Sequence, residues 1–118
     1  GYMDSVTLEK SAFNGAILET YVVTEIIKSF ANNGMDSRKY LYYYRDNNGK
    51  EIDLLIFYDN TVYPIEIKKN FNPGKQAIKN FDIVEKFGVN VGNGGVVCLA
   101  NDIFPLDRNN NLIPIELL

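Results

Sequence analysis

Glu51-Ile52-Asp53-Leu54-Leu55-Ile56-Phe57-Tyr58-Asp59-Asn60-Thr61-Val62-Tyr63-Pro64-Ile65-Glu66-Ile67-Lys68-Lys69 is the stretch whose reading decides the fold. Both halves are rich in β-branched and aromatic residues, and the Asp59-Asn60 pair between them is a two-residue turn signal. The pattern predicts an antiparallel hairpin in which Tyr58 faces Thr61. Counting back along both strands then sets Asp53 opposite Glu66. Side chains directly opposite in such a pair have Cβ atoms roughly 4.5–5.5 Å apart, so two like charges repel and something positive belongs between them.

The alternation groups the acids further. With a period of two, Ile52, Leu54, Ile56, Ile65 and Ile67 share a face that reads as core, and Asp53, Glu66 and Lys68 share the other. Two adjacent carboxylates are tolerated by raising the pKa of one, by a nearby cation, or by a divalent metal ion between them. Lys68 supplies one cation, and Mg²⁺ with oxygen ligands and retained waters would supply another.

A third carboxylate comes from an amphipathic segment, Asn14 to Phe30, with helical periodicity. At about 100° per residue Glu19 falls within the stripe of Val22, Val23, Ile26 and Phe30, while Glu25 falls off it. Burying an unpaired carboxylate costs several kcal/mol, so Glu19 needs either a structural partner such as Arg45 or a lysine, or a polar site on the sheet below.

The rest of the chain supplies a frame. Asn32-Asn33-Gly34 stops the helix, Lys39 to Arg45 reads as a strand whose tyrosines are packing and edge residues, and Asn47-Asn48-Gly49 turns into the Glu51 strand. Asn72-Pro73 opens a second helix through Phe87, with Ala77, Ile78, Phe81, Val84 and Phe87 inward. A strand at Gly95–Ala100, a loop around Pro105, an exposed turn at Asn109-Asn110-Asn111 and a short strand at Leu112–Glu116 complete it.

Composition bounds the chemistry. The chain has 118 residues, 46% of them hydrophobic, enough for one core. It contains no histidine, which excludes Ser-His-Asp triads and imidazole-built zinc sites. The one cysteine, Cys98, sits in the apolar run Val96-Val97-Cys98-Leu99-Ala100 and reads as a small core residue. No GxxxxGK[ST] stretch occurs, so ATP is not expected to bind this segment. No apolar run approaches the ~20 residues of a membrane span and no leader peptide is visible, so a cytoplasmic compartment is expected. A net charge of −3 predicts weak grip on nucleic acid by this segment alone, although Lys68, Lys69, Lys75 and Lys79 cluster just after the acids.

A helix carrying Glu19, then Asp53, twelve intervening residues and Glu66-Ile67-Lys68 resembles the PD-(D/E)XK nuclease-like superfamily. The texture of Gly15-Ala16-Ile17-Leu18-Glu19-Thr20-Tyr21, Tyr42-Tyr43-Tyr44-Arg45-Asp46, Glu51-Ile52-Asp53-Leu54-Leu55 and Gly94-Gly95-Val96-Val97-Cys98-Leu99-Ala100 is similar to the domain of unknown function at the C-terminal end of many prokaryotic AAA-type ATPases. The resemblance implies an α/β fold with a restriction-endonuclease-like core, a mixed β-sheet flanked by helices in α-β-β-β-α-β order. It implies Asp53, Glu66 and the Ile67 carbonyl as ligands of Mg²⁺ or Mn²⁺, Lys68 as the catalytic lysine, Glu19 as an auxiliary acid, and Gln76 as a further auxiliary residue near the metal. Residues 1–13 then form a lead-in or cloning remnant, and residues 14–118 a single nuclease-like domain from a longer ATPase.

Three functional readings follow. One is a Mg²⁺-dependent nuclease domain attached to an ATPase, with nucleic acid as partner. Another is a catalytically silent nuclease-like module that binds DNA or a protein partner, since many members of the superfamily have lost cleavage. The last is an oligomerisation domain with Glu19 and Asp53 in ion pairs to Lys68 or Arg45.

Overall fold

The hairpin turns at Asp59 and Asn60, whose φ angles of +52° and +56° are those of the type I′ turn that matches the twist of the flanking strands. In the computed structural model, which describes residues 15–118, these strands are β2 (Glu51–Tyr58) and β3 (Thr61–Ile67). The lead-in expected over residues 1–13 lies outside the described residues. The β2–β3 register runs from Tyr58↔Thr61 to Leu54↔Ile65, as the two-residue turn requires. On the other side of β2 lies β1 (Leu41–Arg45), joined to it by a turn in which the Asp46 carboxylate accepts the backbone N–H groups of Asn48 (2.9 Å) and Lys50 (3.1 Å).

Strict alternation fails at one place in β2. Tyr42 pairs with Leu55 but Tyr44 pairs with Ile52, so Asp53 and Leu54 together oppose the single residue Tyr43. This β-bulge inserts one residue and reverses the facing of everything before it. Leu54 packs with Leu18, Val22, Ile65, Ile67 and Val97 on one face of the sheet. Ile52, expected beside it, lies on the opposite face with Leu55, Val62, Phe81, Ile83 and Val84.

The remaining strands make the sheet mixed. After β3 come β4 (Asn90–Val91), β5 (Gly94–Cys98), β6 (Phe104–Pro105) and β7 (Asn110–Pro114). Their order is β1-β2-β3-β5-β7-β6, with β4 also paired to β3. β5 runs parallel to both β3 and β7 and is buried along its whole length, the reason it reads as an unbroken apolar run with glycines. A Cβ on Gly94 would come within 2.8 Å of the Phe81 ring, so the ring's seat requires glycine there. Pro64 occupies a central strand, where a missing N–H is ordinarily costly. It faces the gap between β4, which pairs Thr61 and Val62, and β5, which pairs from Ile65 onward, so no ladder bond is lost.

Helix α1 (Gly15–Asn32) covers one face through Leu18 and Val22, and its stop is followed by Gly34 at φ +73°. The buried stripe is Leu18, Val22 and Glu25, which corrects the sequence reading: Glu25 is buried and ion-paired with Lys28 at 3.9 Å, while Glu19 is exposed. Val23 and Ile26 are only half-buried, so the stripe that packs is rotated from the one the whole apolar set suggests.

The expected helix over 72–87 is instead two 3-10 segments, Lys75–Ile78 and Phe81–Phe87. The reason lies in the spacing. Ile78, Phe81, Val84 and Phe87 recur every third residue, the period at which 3-10 side chains eclipse. Ile78, Phe81 and Val84 join the cluster of Ile52 and Leu55, whereas Phe87 remains 38% exposed. The chain's end differs as well. Asn110 and Asn111 pair with Gly94 and Gly95 rather than forming an exposed turn, and β7 gives way at Pro114 to a 3-10 turn, Ile115–Leu117.

Candidate functional site

Where the hairpin ladder ends, the acids begin. The last regular β2–β3 pair is Leu54↔Ile65, and beyond it the bulge displaces Asp53, so that the Ile67 backbone N–H donates to Asp53 Oδ2 (2.9 Å). On the other edge of β3 the Lys68 N–H donates to the Val97 carbonyl (2.9 Å). Backbone groups alternate edges along a strand, so the Ile67 carbonyl is directed to the β2 side, where the strands have parted. Asp53 thus substitutes for the missing ladder partner and remains half-buried beside Glu66.

The resulting cleft, about 230 Å³, is lined by Gly49, Glu51, Asp53, Glu66, Lys68, Gln76, Ala77, Lys79 and Asn80. Its floor is the splayed hairpin and its opposite wall is the junction between the two 3-10 segments. That junction is tied to the floor by Asn80 Nδ2, which donates to the Glu51 carbonyl (3.1 Å). Arg45 Nε bonds Glu51 Oε1 at 2.8 Å, so Arg45 answers Glu51 and not Glu19 or Asp53.

Burial pushes the Glu66 carboxyl up to about 8, helped by its side-chain hydrogen bond to Asp53 and by the Asp53 charge; Lys68 and the Asp53 backbone N–H pull it down. This is the signature of two carboxyls sharing one site. Glu19 is also raised, first by partial desolvation and then by the charges of Asp53 and Glu51. The helical acid is therefore within electrostatic reach of the site but outside the cleft lining.

Of the residues named from sequence, Asp53, Glu66, Lys68 and Gln76 come together in the cleft, and Ile67 borders it through its backbone. The four-lysine cluster divides: Lys68 and Lys79 line the cleft, whereas Lys75 acts on Asp107. Glu51 and Asn80 were not singled out by the sequence reading. Glu51 was findable, two residues before Asp53 on a strand, but the Asn80 bond joins residues 29 apart and leaves no local trace. Tyr42 and Tyr43 are 50% and 76% exposed on β1, the edge strand among the described residues, whereas Tyr44 packs, its ring 5.8 Å from that of Phe87. Cys98 is buried as expected, and burial raises its thiol pKa.

Residues 14–118 match the family described as a domain of unknown function, DUF4143. The chain belongs to that family. No curated protein and no solved structure matches this DUF4143 chain. Among its described residues no group of three or more His, Cys, Asp or Glu side chains is placed to hold a metal ion, and no helix is long and apolar enough to cross a membrane. Apart from Glu51, which Arg45 answers, the donors of the cleft are the Asp53 and Glu66 carboxyls with the Ile67 strand carbonyl at its border. They form an all-oxygen set of the kind that suits a hard cation retaining several waters, and offer nothing to a thiolate- or imidazole-seeking metal.

Proposed function

We propose that this DUF4143 domain is a Mg²⁺- or Mn²⁺-dependent phosphodiester hydrolase module of the PD-(D/E)XK type, working beside an AAA-type ATPase domain. The observation that carries the proposal is the Asp53–Glu66 carboxyl pair, held at the parted end of a hairpin with Lys68 two residues on. The helix, the three antiparallel strands, the 3-10 crossover and the parallel β5 follow the order of a restriction-endonuclease-like core, with 3-10 segments where the second helix would stand.

In this reading Asp53, Glu66 and the Ile67 carbonyl would hold the divalent ion, which would supply Lewis-acid activation of water and neutralisation of phosphate charge. The Lys68 ammonium donates a hydrogen bond to the attacking water and holds positive charge beside the pentacoordinate phosphate. Gln76 orients the same water or a phosphate oxygen from the facing wall. Glu19, at the rim, draws the nearby field negative and favours cation entry. The attacking water loses a proton to solvent as its oxygen bonds to phosphorus, the bond to the leaving sugar oxygen breaks, and that oxygen takes a proton from solvent.

A second reading, a silent module that binds DNA or a protein without turnover, is favoured by the absence of a three-acid cluster among the described residues and by the net charge of −3. Calorimetric titration of Mg²⁺ and Mn²⁺, with cleavage assays on single- and double-stranded DNA, separates the two. Lys68→Ala is expected to bind the metal undiminished and to lose cleavage by about 100-fold or more, the scale of losing a charge-stabilising donor. Metal binding with no cleavage by the parent chain selects the silent module. No binding at millimolar metal removes the hydrolase reading.

A further inference from the structure

We infer that Lys79 is a phosphate-binding residue, the second cation of the cleft, which seats a nucleic acid backbone phosphate next to the one held at the acid pair. The inference rests on the hydrolase reading for the cleft's role, but its own evidence is the construction of the facing wall.

Lys79 closes the first 3-10 segment, its backbone N–H donating to the Gln76 carbonyl (3.3 Å). Residues three apart in a 3-10 turn lie one above the other, so Gln76 and Lys79 form one row, and both line the cleft. The next residue, Asn80, anchors this row to the floor by its bond to the Glu51 carbonyl. A flexible lysine stem is thereby rooted on backbone cross-linked to the strand that carries Asp53.

Charge within the cleft tells what the ammonium is for. Glu51 is answered by Arg45 at 2.8 Å. With a divalent ion seated, Asp53 and Glu66 are answered as well. Two lining ammonium groups, Lys68 and Lys79, then remain without an opposite charge inside the cleft, and among the described residues Lys79 enters no ion pair. A polar cleft lined by two such groups, one directly after the strand that carries Glu66 and one closing the facing 3-10 segment, suits a ligand bearing two neighbouring negative charges, and successive phosphates of a nucleic acid strand are such a ligand. Lys68 belongs to the reacting phosphate and Lys79 to its neighbour.

The test measures binding of a fluorescein-labelled 12-nucleotide single strand and the corresponding duplex to the chain in Ca²⁺, across a series of salt concentrations. Metal binding is followed separately by calorimetry. Removing one phosphate contact lowers the slope of log K against log salt by about 0.7 for a single strand or about 0.9 for a duplex. Lys79→Ala is therefore expected to weaken binding several-fold with that drop in slope and with metal affinity unchanged, and Lys79→Arg to restore the slope. Asn80→Ala, which frees the junction, is expected to weaken binding while leaving the slope nearer the parent's. Unchanged affinity and slope in Lys79→Ala overturn the inference, as does failure of the parent chain to bind either oligonucleotide. If Lys79→Ala lowers the slope but the chain binds no divalent metal, the phosphate-binding role of Lys79 stands and the hydrolase reading, with the second phosphate at the acid pair, falls.

Discussion

Replacing Glu66 with glutamine should stabilise the metal-free protein at neutral and alkaline pH. The Glu66 carboxyl titrates at about 8 in the folded chain against 4.5 for the ordinary group. The folded state therefore binds the proton more tightly than the unfolded state, and stability falls as pH rises across the window between those two values, being flat outside it. At 1.36 kcal/mol per unit, full ionisation of the folded site costs about 5 kcal/mol, of which roughly 2.5 kcal/mol is lost between pH 5 and 7. An amide cannot ionise, and its NH₂ can still donate to Asp53. Glu66→Gln should then show almost no change over that interval and exceed the parent by about 3 kcal/mol at pH 7. Urea unfolding in EDTA at half-unit pH steps measures this, since 2 kcal/mol moves the midpoint by about 1 M at typical denaturant slopes. Saturating Mg²⁺ supplies the control. At ten times its Kd a ligand adds about 1.4 kcal/mol, and that gain should appear in the parent at pH 8 and vanish in Glu66→Gln. Parallel pH profiles for the two proteins would refute the shared-site reasoning, whatever the metal does.

Other perturbations test the frame. Leu18→Ala empties the contact between α1 and the sheet, where Leu18 is 1% exposed, and should cost about 2–5 kcal/mol in urea unfolding. Asn60→Val forces a β-branched residue to φ +56° and should cost about 1–2 kcal/mol, whereas Asn60→Gly at the same turn should be close to neutral, as calorimetric unfolding of the pair would read.

Much of this architecture was legible in the chain because the deciding interactions are local. Asp59-Asn60 demands a positive-φ turn, and that turn fixes the register of β2 on β3 as far as Leu54↔Ile65; the direct Asp53–Glu66 pairing counted from it is not formed, because the bulge displaces Asp53 toward the Ile67 amide. The buried strand at Val96–Cys98 and the helix from Gly15 follow from the same kind of short-range pattern, whereas Gln76 was placed near the acids only by the family resemblance. The three-residue recurrence of Ile78, Phe81, Val84 and Phe87 was also in the chain, and it marks 3-10 turns rather than an α-helix.

Tertiary packing decided the rest. The bulge at Asp53-Leu54 exists only against Tyr43 on another strand, and it sends Ile52 to the far face and Asp53 to the Ile67 amide. Which stripe of α1 is buried depended on where the sheet offered apolar surface, so Glu25 went in and Glu19 stayed at the rim. The wall carrying Lys79 is closed by an Asn80–Glu51 bond across 29 residues. Periodicity along a chain records what neighbouring residues require of one another, and it carries no term for a surface that forms only when distant segments meet.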